Sequence, residues 1–260
     1  MSELYVNPIK HKLKNKEKVS AAWLQCSSNV TAEIMANAGF DVLMIDIEHS
    51  PVDYQTILSM CQAMKGTNCL PFCRAPWNDM VALKRISDCG VMGVSVPYVN
   101  TREEAQNAVN FLKYPPHGLR GIAGSPRAAG YGMNKGTYMQ RANDENLVMV
   151  AIETPIGVAN LDEILKVEGI DGIFIGPMDL SCSMGHFANP AHEEVQKVIK
   201  VIEEKVFATD KYLSTVAGSF EQAKVLYDRG YSMIVMMSDA VDLAKMAANT
   251  VSKFNETYNK

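Results

Sequence analysis

Short runs of apolar residues alternate with longer amphipathic stretches along almost the whole chain. The short runs are nearly continuous in apolar residues, which is typical of strands in a parallel sheet that is buried on both faces. The longer stretches repeat their apolar residues with a period of about 3.6, which predicts helices. The predicted strands are 19–25, 42–46, 69–74, 92–97, 148–153, 172–175, 212–217 and 232–237, and the helices that follow them are 29–38, 53–64, 80–89, 102–112, 158–166, 193–207, 220–228 and 240–254.

Each predicted strand is thus followed by a predicted helix, and this strand–helix unit occurs eight times in 260 residues. A chain of about 250 residues with this alternation is typical of a (β/α)8 barrel, the TIM barrel. No change of composition marks a second domain, so we expect residues 1–260 to form a single barrel domain.

One segment, 113–146, interrupts this alternation. Such a long connection in a compact domain is usually functional. Taken as the connection that leaves strand four, it is predicted to lie over the carboxyl ends of the strands. Its glycine-rich part, 121–130, lacks the phosphate-binding P-loop pattern, and two interpretations stay open for it: a lid or a contact between subunits.

Composition and charge narrow the possible partners. The net charge is −4, and we expect no nucleic-acid partner because phosphate binding needs clustered lysine and arginine. The six cysteines show no C-x-x-C spacing, which favours buried thiols in a reducing compartment. No apolar run is long enough for a membrane span. We therefore expect a cytoplasmic protein without a membrane partner.

Charged residues follow several predicted strands at their carboxyl ends, where barrel enzymes carry their active sites. Glu153 ends predicted strand five, and Asp179 comes just after the neighbouring strand six. Two carboxylates of this kind suit a hard divalent cation such as Mg²⁺ or Mn²⁺. The alternatives are that Glu153 pairs with an arginine and that Asp179 caps a helix.

Asp46, Glu48 and His49 follow strand two. A carboxylate that is hydrogen-bonded to an imidazole raises its basicity, so Asp46 and His49 are a candidate general base. Glu48 is predicted to support the histidine or the metal's waters. The alternative is a surface loop in which Asp46 caps the next helix.

Arg74 ends strand three, where it needs either a structural carboxylate or an anionic substrate as its partner. Facing a developing oxyanion, it would stabilise a transition state. No lysine lies at the carboxyl end of a predicted strand, which disfavours a Schiff-base route to an enolate and favours a metal-dependent one.

Five segments together resemble the HpcH/HpaI aldolase family, in the same order along the chain: 40–49, 74–79, 114–121, 152–154 and 169–181. The resemblance implies a metal-dependent (class II) pyruvate aldolase. Such an enzyme cleaves a 4-hydroxy-2-oxo acid to pyruvate and an aldehyde, reversibly, through a metal-stabilised pyruvate enolate. The implied cofactor is Mg²⁺, Mn²⁺ or Co²⁺, bound by Glu153 and Asp179.

The resemblance also implies roles for individual residues. His49 and Asp46 form the base dyad, Arg74 contacts the keto oxygen, and Asp88 reaches the site of a neighbouring subunit. The implied assembly is a homo-hexamer, a trimer of dimers that exchange C-terminal helices. The family usually has a smaller residue where this chain has Met178. The expected substrate-binding residues are Trp23, Asp88, Gly176, Met178, Asp179 and Val216.

Two other functions stay open. A lyase acting on CoA thioesters, of the citrate or malyl-CoA type, needs a basic groove for the nucleotide, and the sequence has no matching cluster of lysine and arginine. A non-catalytic homologue that binds a 2-oxo acid has no need of a base such as His49. Both are therefore less consistent with this sequence than an aldolase.

Overall fold

In a computed structural model, which describes residues 5–259, the strands form a closed barrel of parallel strands in the order β1-β2-β3-β4-β5-β6-β7-β8. This confirms the prediction of a TIM barrel, and the strands agree with the predicted runs to within two residues at each end. The strands are β1 Val19–Leu24, β2 Val42–Asp46, β3 Leu70–Arg74, β4 Gly93–Val96, β5 Leu147–Ile152, β6 Gly172–Ile175, β7 Tyr212–Val216 and β8 Met233–Ser238.

Helices surround this barrel and bury their apolar faces against the outer side of the sheet. The predicted helix 158–166 is two short helices that meet at Asn160, whose backbone departs from helical geometry. The helices are α1 Pro8–Lys14, α2 Asn29–Ala38, α3 Tyr54–Ala63, α4 Met80–Asp88, α5 Arg102–Leu112, α6 Lys135–Glu145, α7 Pro155–Ala159, α8 Leu161–Leu165, α9 Pro177–Ser183, α10 Glu193–Phe207, α11 Phe220–Arg229 and α12 Asp239–Tyr258, with a 3₁₀ segment at Arg127–Gly132.

A second apolar cluster fills the inside of the barrel. Large rings and glycines on neighbouring strands share this space. A Cβ atom on Gly93 would lie 2.6 Å from the Phe72 ring, and one on Gly172 would lie 2.4 Å from the Tyr212 ring. Because real Cβ atoms do not approach so closely, only glycine at these positions leaves room for the rings, which keep the interior packed.

The long segment 113–146 lies at the amino end of the barrel, so its predicted place over the carboxyl ends of the strands is wrong. The segment follows α5, which has already returned the chain to the amino end. Arg127 donates hydrogen bonds there to the backbone carbonyls of Cys61 and Cys89, at 2.8 and 3.0 Å. A lid over this chain's own strand ends is thereby excluded for residues 121–130.

Among the helices of residues 5–259, none combines enough length with enough apolar residues to cross a bilayer.

Candidate active site

The carboxyl ends of four strands bring the charged residues of the candidate site together. Asp46 is the last residue of β2 and Arg74 the last residue of β3, and the two lie opposite each other in the sheet register. Glu153 follows β5 directly, and Asp179 lies in the first turn of α9, just after β6. The residues singled out in the sequence therefore meet at one end of the barrel, where barrel enzymes bind their substrates.

Arg74 is fixed by two acidic residues and an aromatic ring. Its Nε and Nη2 donate to the two carboxylate oxygens of Asp46, at 3.0 and 2.8 Å. Its Nε also lies 3.2 Å from Oε2 of Glu48, and its guanidinium lies 4.4 Å from the centre of the Trp23 ring. A bidentate pair of this kind fixes the plane of the guanidinium as well as its position.

The ion pair with Arg74 also keeps Asp46 ionised, although Asp46 is fully buried. Burial alone would raise the pKa of Asp46, but the hydrogen bonds and positive charge of Arg74 outweigh it and hold that pKa below its ordinary value. Asp46 is therefore a permanent carboxylate that orients Arg74.

Glu153 lies in a very different environment. It is only 2% exposed, and burial, together with the negative charges of Asp179 and Glu48, raises its pKa to about 7. The backbone N–H of Tyr98 donates to its Oε2 at 3.1 Å. No ion pair joins Glu153 to an arginine within residues 5–259, so the alternative that it serves as an arginine's partner is not supported.

Gly176 makes the position of Glu153 possible. A Cβ atom on residue 176 would lie 2.2 Å from Oε1 of Glu153, a distance that no real contact allows. Gly176 is also the N-cap of α9, and Asp179 lies within the first turn, so the alternative of Asp179 as the helix cap is wrong. The hydroxyl of Tyr98 donates to Oδ1 of Asp179 at 3.1 Å.

These carboxylates form a cluster that fits a divalent cation. Burial comes first among the causes that raise the pKa of Glu48, and Asp46 and Asp179 raise it further. Oε2 of Glu48 is buried without a hydrogen-bond partner, because the nearby Arg74 Nε is directed at Asp46 instead. A cation would stabilise the ionised form of acids whose pKa is raised, and it would coordinate a carboxylate oxygen that accepts no hydrogen bond. The oxygen-only donor set suits Mg²⁺ or Mn²⁺.

The structure does not bring the side chains of Asp46 and His49 together as predicted. Oδ1 of Asp46 accepts hydrogen bonds from the backbone N–H groups of Glu48 and His49, at 3.1 and 3.3 Å. The imidazole of His49 is 57% exposed and approaches Glu48, with 3.9 Å between Nε2 and Oε2. Asp46 is unable to serve as its partner because Arg74 and Gln25 occupy its oxygens.

The remaining predicted residues divide between the two ends of the barrel. Trp23 and Val216 lie at the carboxyl end and pack against the cluster inside the barrel, and Met178 is half exposed in α9. Asp88 ends α4 at the opposite end, where it forms a 2.6 Å ion pair with Arg120. Asp88 is therefore not part of this chain's own candidate site.

Sequence reasoning missed Gln25 and Tyr98, both of which touch the acidic residues of the site. The amide of Gln25 donates to Asp46 Oδ2 at 2.9 Å, and Tyr98 contacts both Glu153 and Asp179. The available signal was their position, since each lies within two residues of the carboxyl end of a strand, where barrel enzymes carry their active sites.

A parallel barrel with an acidic cluster and a fixed arginine at its strand ends defines a class, the TIM-barrel enzymes whose active sites lie at the carboxyl ends of the strands. The family model of HpcH/HpaI aldolase/citrate lyase matches residues 20–245. The chain belongs to this family, and it is an enzyme, an aldehyde-lyase.

Individual relatives resemble it over nearly their whole length. The 4-hydroxy-2-oxo-heptane-1,7-dioate aldolase of Escherichia coli is 38% identical over 248 residues, 95% of this chain and 95% of that protein. The 2-dehydro-3,6-dideoxy-6-sulfogluconate aldolase of Pseudomonas putida is 39% identical over 244 residues, 94% of this chain and 92% of that protein. A solved HpcH/HpaI aldolase/citrate lyase family protein from Burkholderia cenocepacia is 30% identical, with a TM-score of 0.92 over 96% of this chain and 100% of that one.

Proposed function

We propose that the protein is a divalent-metal-dependent aldolase that cleaves a 4-hydroxy-2-oxo acid, reversibly, to pyruvate and an aldehyde. The observation that carries this proposal is the group of three acids at the strand ends: buried Glu153 and partly buried Asp179, which share the partner Tyr98, and Glu48 beside Arg74. The names of the two relatives support it, since both are aldolases that share more than a third of their residues with this chain.

The proposed cofactor is Mg²⁺, Mn²⁺ or Co²⁺, held by Glu153 and Asp179. Such an ion supplies a Lewis acid that polarises the keto group of a 2-oxo acid and stabilises the negative charge of its enolate. For the cation to bind, Glu153 must be ionised, so its raised pKa predicts that metal affinity falls as the pH drops below about 7.

Arg74 is proposed to stabilise the oxyanion that develops on the keto oxygen. Asp46 fixes the guanidinium through Nε and Nη2, and Nη1 makes no hydrogen bond to any residue from 5 to 259. The Nη1 donors therefore stay available for a substrate oxygen. A donor fixed in advance stabilises developing charge without reorganisation at the moment of reaction.

His49 is proposed as the base that takes the proton from the 4-hydroxyl group of the substrate. Its imidazole is accessible at the mouth of the barrel and lies next to Glu48, which is the carboxylate that would stabilise its protonated form. Loss of this proton starts the cleavage of the bond between C3 and C4. Trp23, Met178 and Val216 are proposed to line the substrate pocket.

The proposed assembly is a homo-hexamer of single-domain barrels in which paired subunits exchange α12. Asp239 is the only buried residue of α12 within its described length. Leu243, Met246 and Phe254 are each more than half exposed, although their spacing of three and eight residues places them on one face. A second copy of the chain would cover this face. In such an assembly Asp88 is proposed to reach the neighbouring site.

The test of the proposed function is cleavage of racemic 4-hydroxy-2-oxopentanoate and 4-hydroxy-2-oxoheptanedioate, with pyruvate release followed in a coupled assay. We expect the unaltered protein to release pyruvate, EDTA to abolish this activity, and added Mg²⁺ or Mn²⁺ to restore it. We expect Glu153→Gln to be inactive both in EDTA and with added metal. The ratio of the two rates would begin to define the aldehyde. Failure to cleave either acid, in the presence of metal, would contradict the proposal and favour a CoA-thioester lyase or a 2-oxo acid binding protein.

A further inference from the structure

Tyr98 makes one hydrogen bond to each of the two proposed metal ligands. Its backbone N–H donates to Oε2 of Glu153, and its hydroxyl donates to Oδ1 of Asp179, both at 3.1 Å. Glu153 follows β5 and Asp179 follows β6, whereas Tyr98 follows β4. One residue from a third strand therefore connects two carboxylates that the barrel scaffold supplies separately.

The backbone of Tyr98 is in the left-handed region, with φ at +52°. This conformation is uncommon for a residue with a bulky side chain, and such residues concentrate at functional sites, where the surrounding structure holds them in place. Here the side-chain amide of Asn100 donates to the carbonyl of Tyr98 at 3.0 Å, and the Trp77 ring stacks on the Tyr98 ring with 5.9 Å between centroids.

Asn100 also forms hydrogen bonds to the loop that follows β5. Thr154, which directly follows Glu153, donates from its hydroxyl to the side chain of Asn100, and Asn160 donates to the backbone carbonyl of Asn100 at 2.8 Å. The loops after β4 and β5 are thus joined around Tyr98. The local geometry serves to bring the N–H and the hydroxyl of Tyr98 to the two carboxylates at once.

We propose that Tyr98 is a positioning residue that orients Glu153 and Asp179 to bind the metal ion. This inference rests on the proposed function. Partners that orient metal ligands typically contribute about 10- to 100-fold to metal affinity. The hydroxyl directs a positive dipole at Asp179 and the backbone N–H directs one at Glu153, and both dipoles offset the repulsion between the two carboxylates.

The variant Tyr98→Phe removes only the hydroxyl and keeps the ring, its stacking on Trp77 and the backbone N–H. We expect it to bind Mn²⁺ about 10-fold more weakly than the unaltered protein or worse, without abolishing binding, because the bond to Glu153 remains. At saturating Mn²⁺ we expect the kcat of the variant to stay within a few-fold of that of the unaltered protein. The variant should instead need a higher Mn²⁺ concentration to reach half of its full activity.

A second variant, Tyr98→Asn, distinguishes a loss of metal affinity from a loss of folding. Asparagine adopts the left-handed conformation more readily than tyrosine, and it keeps the N–H but is too short to replace the hydroxyl. We expect Tm of the metal-free protein to be preserved while Mn²⁺ affinity falls as in Tyr98→Phe. A purely structural role for Tyr98 predicts the opposite, a lower Tm with unchanged affinity.

The measurement is Mn²⁺ binding to the full-length metal-depleted chain, followed by the electron paramagnetic resonance signal of free Mn²⁺. Tyr227→Phe is the matched control, since its hydroxyl donates to the carbonyl of Val19 at 2.7 Å, at the amino end of β1, and its loss should leave Mn²⁺ affinity unchanged.

Two outcomes would count against the inference in different ways. If both Tyr98 variants bind Mn²⁺ within twofold of the unaltered protein, the role of Tyr98 is overturned and the proposed function stands. If the unaltered protein shows no saturable Mn²⁺ binding, the metal site of the proposed function is itself wrong, and the inference falls with it.

Discussion

Replacing Glu153 with glutamine should make the metal-free protein more stable at alkaline pH. The folded-state pKa of Glu153 is about 7, compared with an ordinary value of 4.5. Because the folded state binds this proton more tightly than the unfolded state, stability falls as the pH rises from about 4.5 to about 7 and stays low above that range. At about 1.4 kcal/mol for each pKa unit, the cost at pH 8 is about 3 kcal/mol.

Glutamine removes the titrating group but still accepts the hydrogen bond that the backbone N–H of Tyr98 donates to this position. In EDTA at pH 8, Glu153→Gln should therefore exceed the unaltered protein in free energy of unfolding by up to about 3 kcal/mol. The excess should shrink by at least about 2 kcal/mol at pH 5, where the folded carboxyl is already protonated. Any fixed cost of the amide is the same at both pH values and does not affect this difference.

Urea unfolding at pH 5 and pH 8 measures both values directly. Glu204→Gln is the matched control, because Glu204 is exposed on α10 and its replacement should give the same small change at both pH values. An excess for Glu153→Gln that does not depend on pH, or a variant less stable than the unaltered protein at pH 8 only, would refute the reasoning that burial and neighbouring charges raise the pKa of Glu153.

Three further predictions follow from the same geometry. Arg74→Ala should lower kcat about 100-fold or more, because the oxyanion loses its fixed donor, and a change of only a few-fold in steady-state assays would exclude this role. Gly176→Ala should weaken Mn²⁺ binding in calorimetry, since the new Cβ would meet Glu153 Oε1 at 2.2 Å; unchanged affinity would contradict the placement of that carboxylate. Replacing Met246 and Phe254 together with glutamate should break the proposed hexamer into smaller species in light scattering, and a hexamer that survives the replacement would contradict the proposed exchange of α12.

The sequence predicted the barrel well because its signal is local. Strands buried on both faces must be apolar throughout, so each one is visible as a run, and the helices between them keep their own period. The predicted place of segment 113–146 was wrong because α5 lies between this segment and β4. The helix α5 returns the chain to the amino end of the barrel, and the segment begins there.

The candidate site was predictable in position but not in pairing. Strand ends indicated Asp46, Arg74, Glu153 and Asp179, because a parallel barrel gathers all its strand ends in one place. The partner of each charge depends on side-chain directions, which spacing does not encode. Proximity in sequence favoured an Asp46–His49 pair, whereas the sheet register places Asp46 directly opposite Arg74.

The proposed role of Tyr98 could not be predicted from its residue type. Tyrosine after a strand is an ordinary core or surface residue, and only its left-handed backbone and two hydrogen bonds single it out. These depend on the loops after β4 and β5, which contact each other only in the folded chain.

The most direct test of the central claim, that this acidic cluster holds a metal which helps to form a pyruvate enolate, is exchange of the pyruvate methyl protons in D₂O, followed by nuclear magnetic resonance. It needs no knowledge of the aldehyde. We predict exchange with Mg²⁺ or Mn²⁺, none in EDTA, and none for Glu153→Gln under either condition. Exchange that continues unchanged in EDTA, or in Glu153→Gln, would contradict the claim.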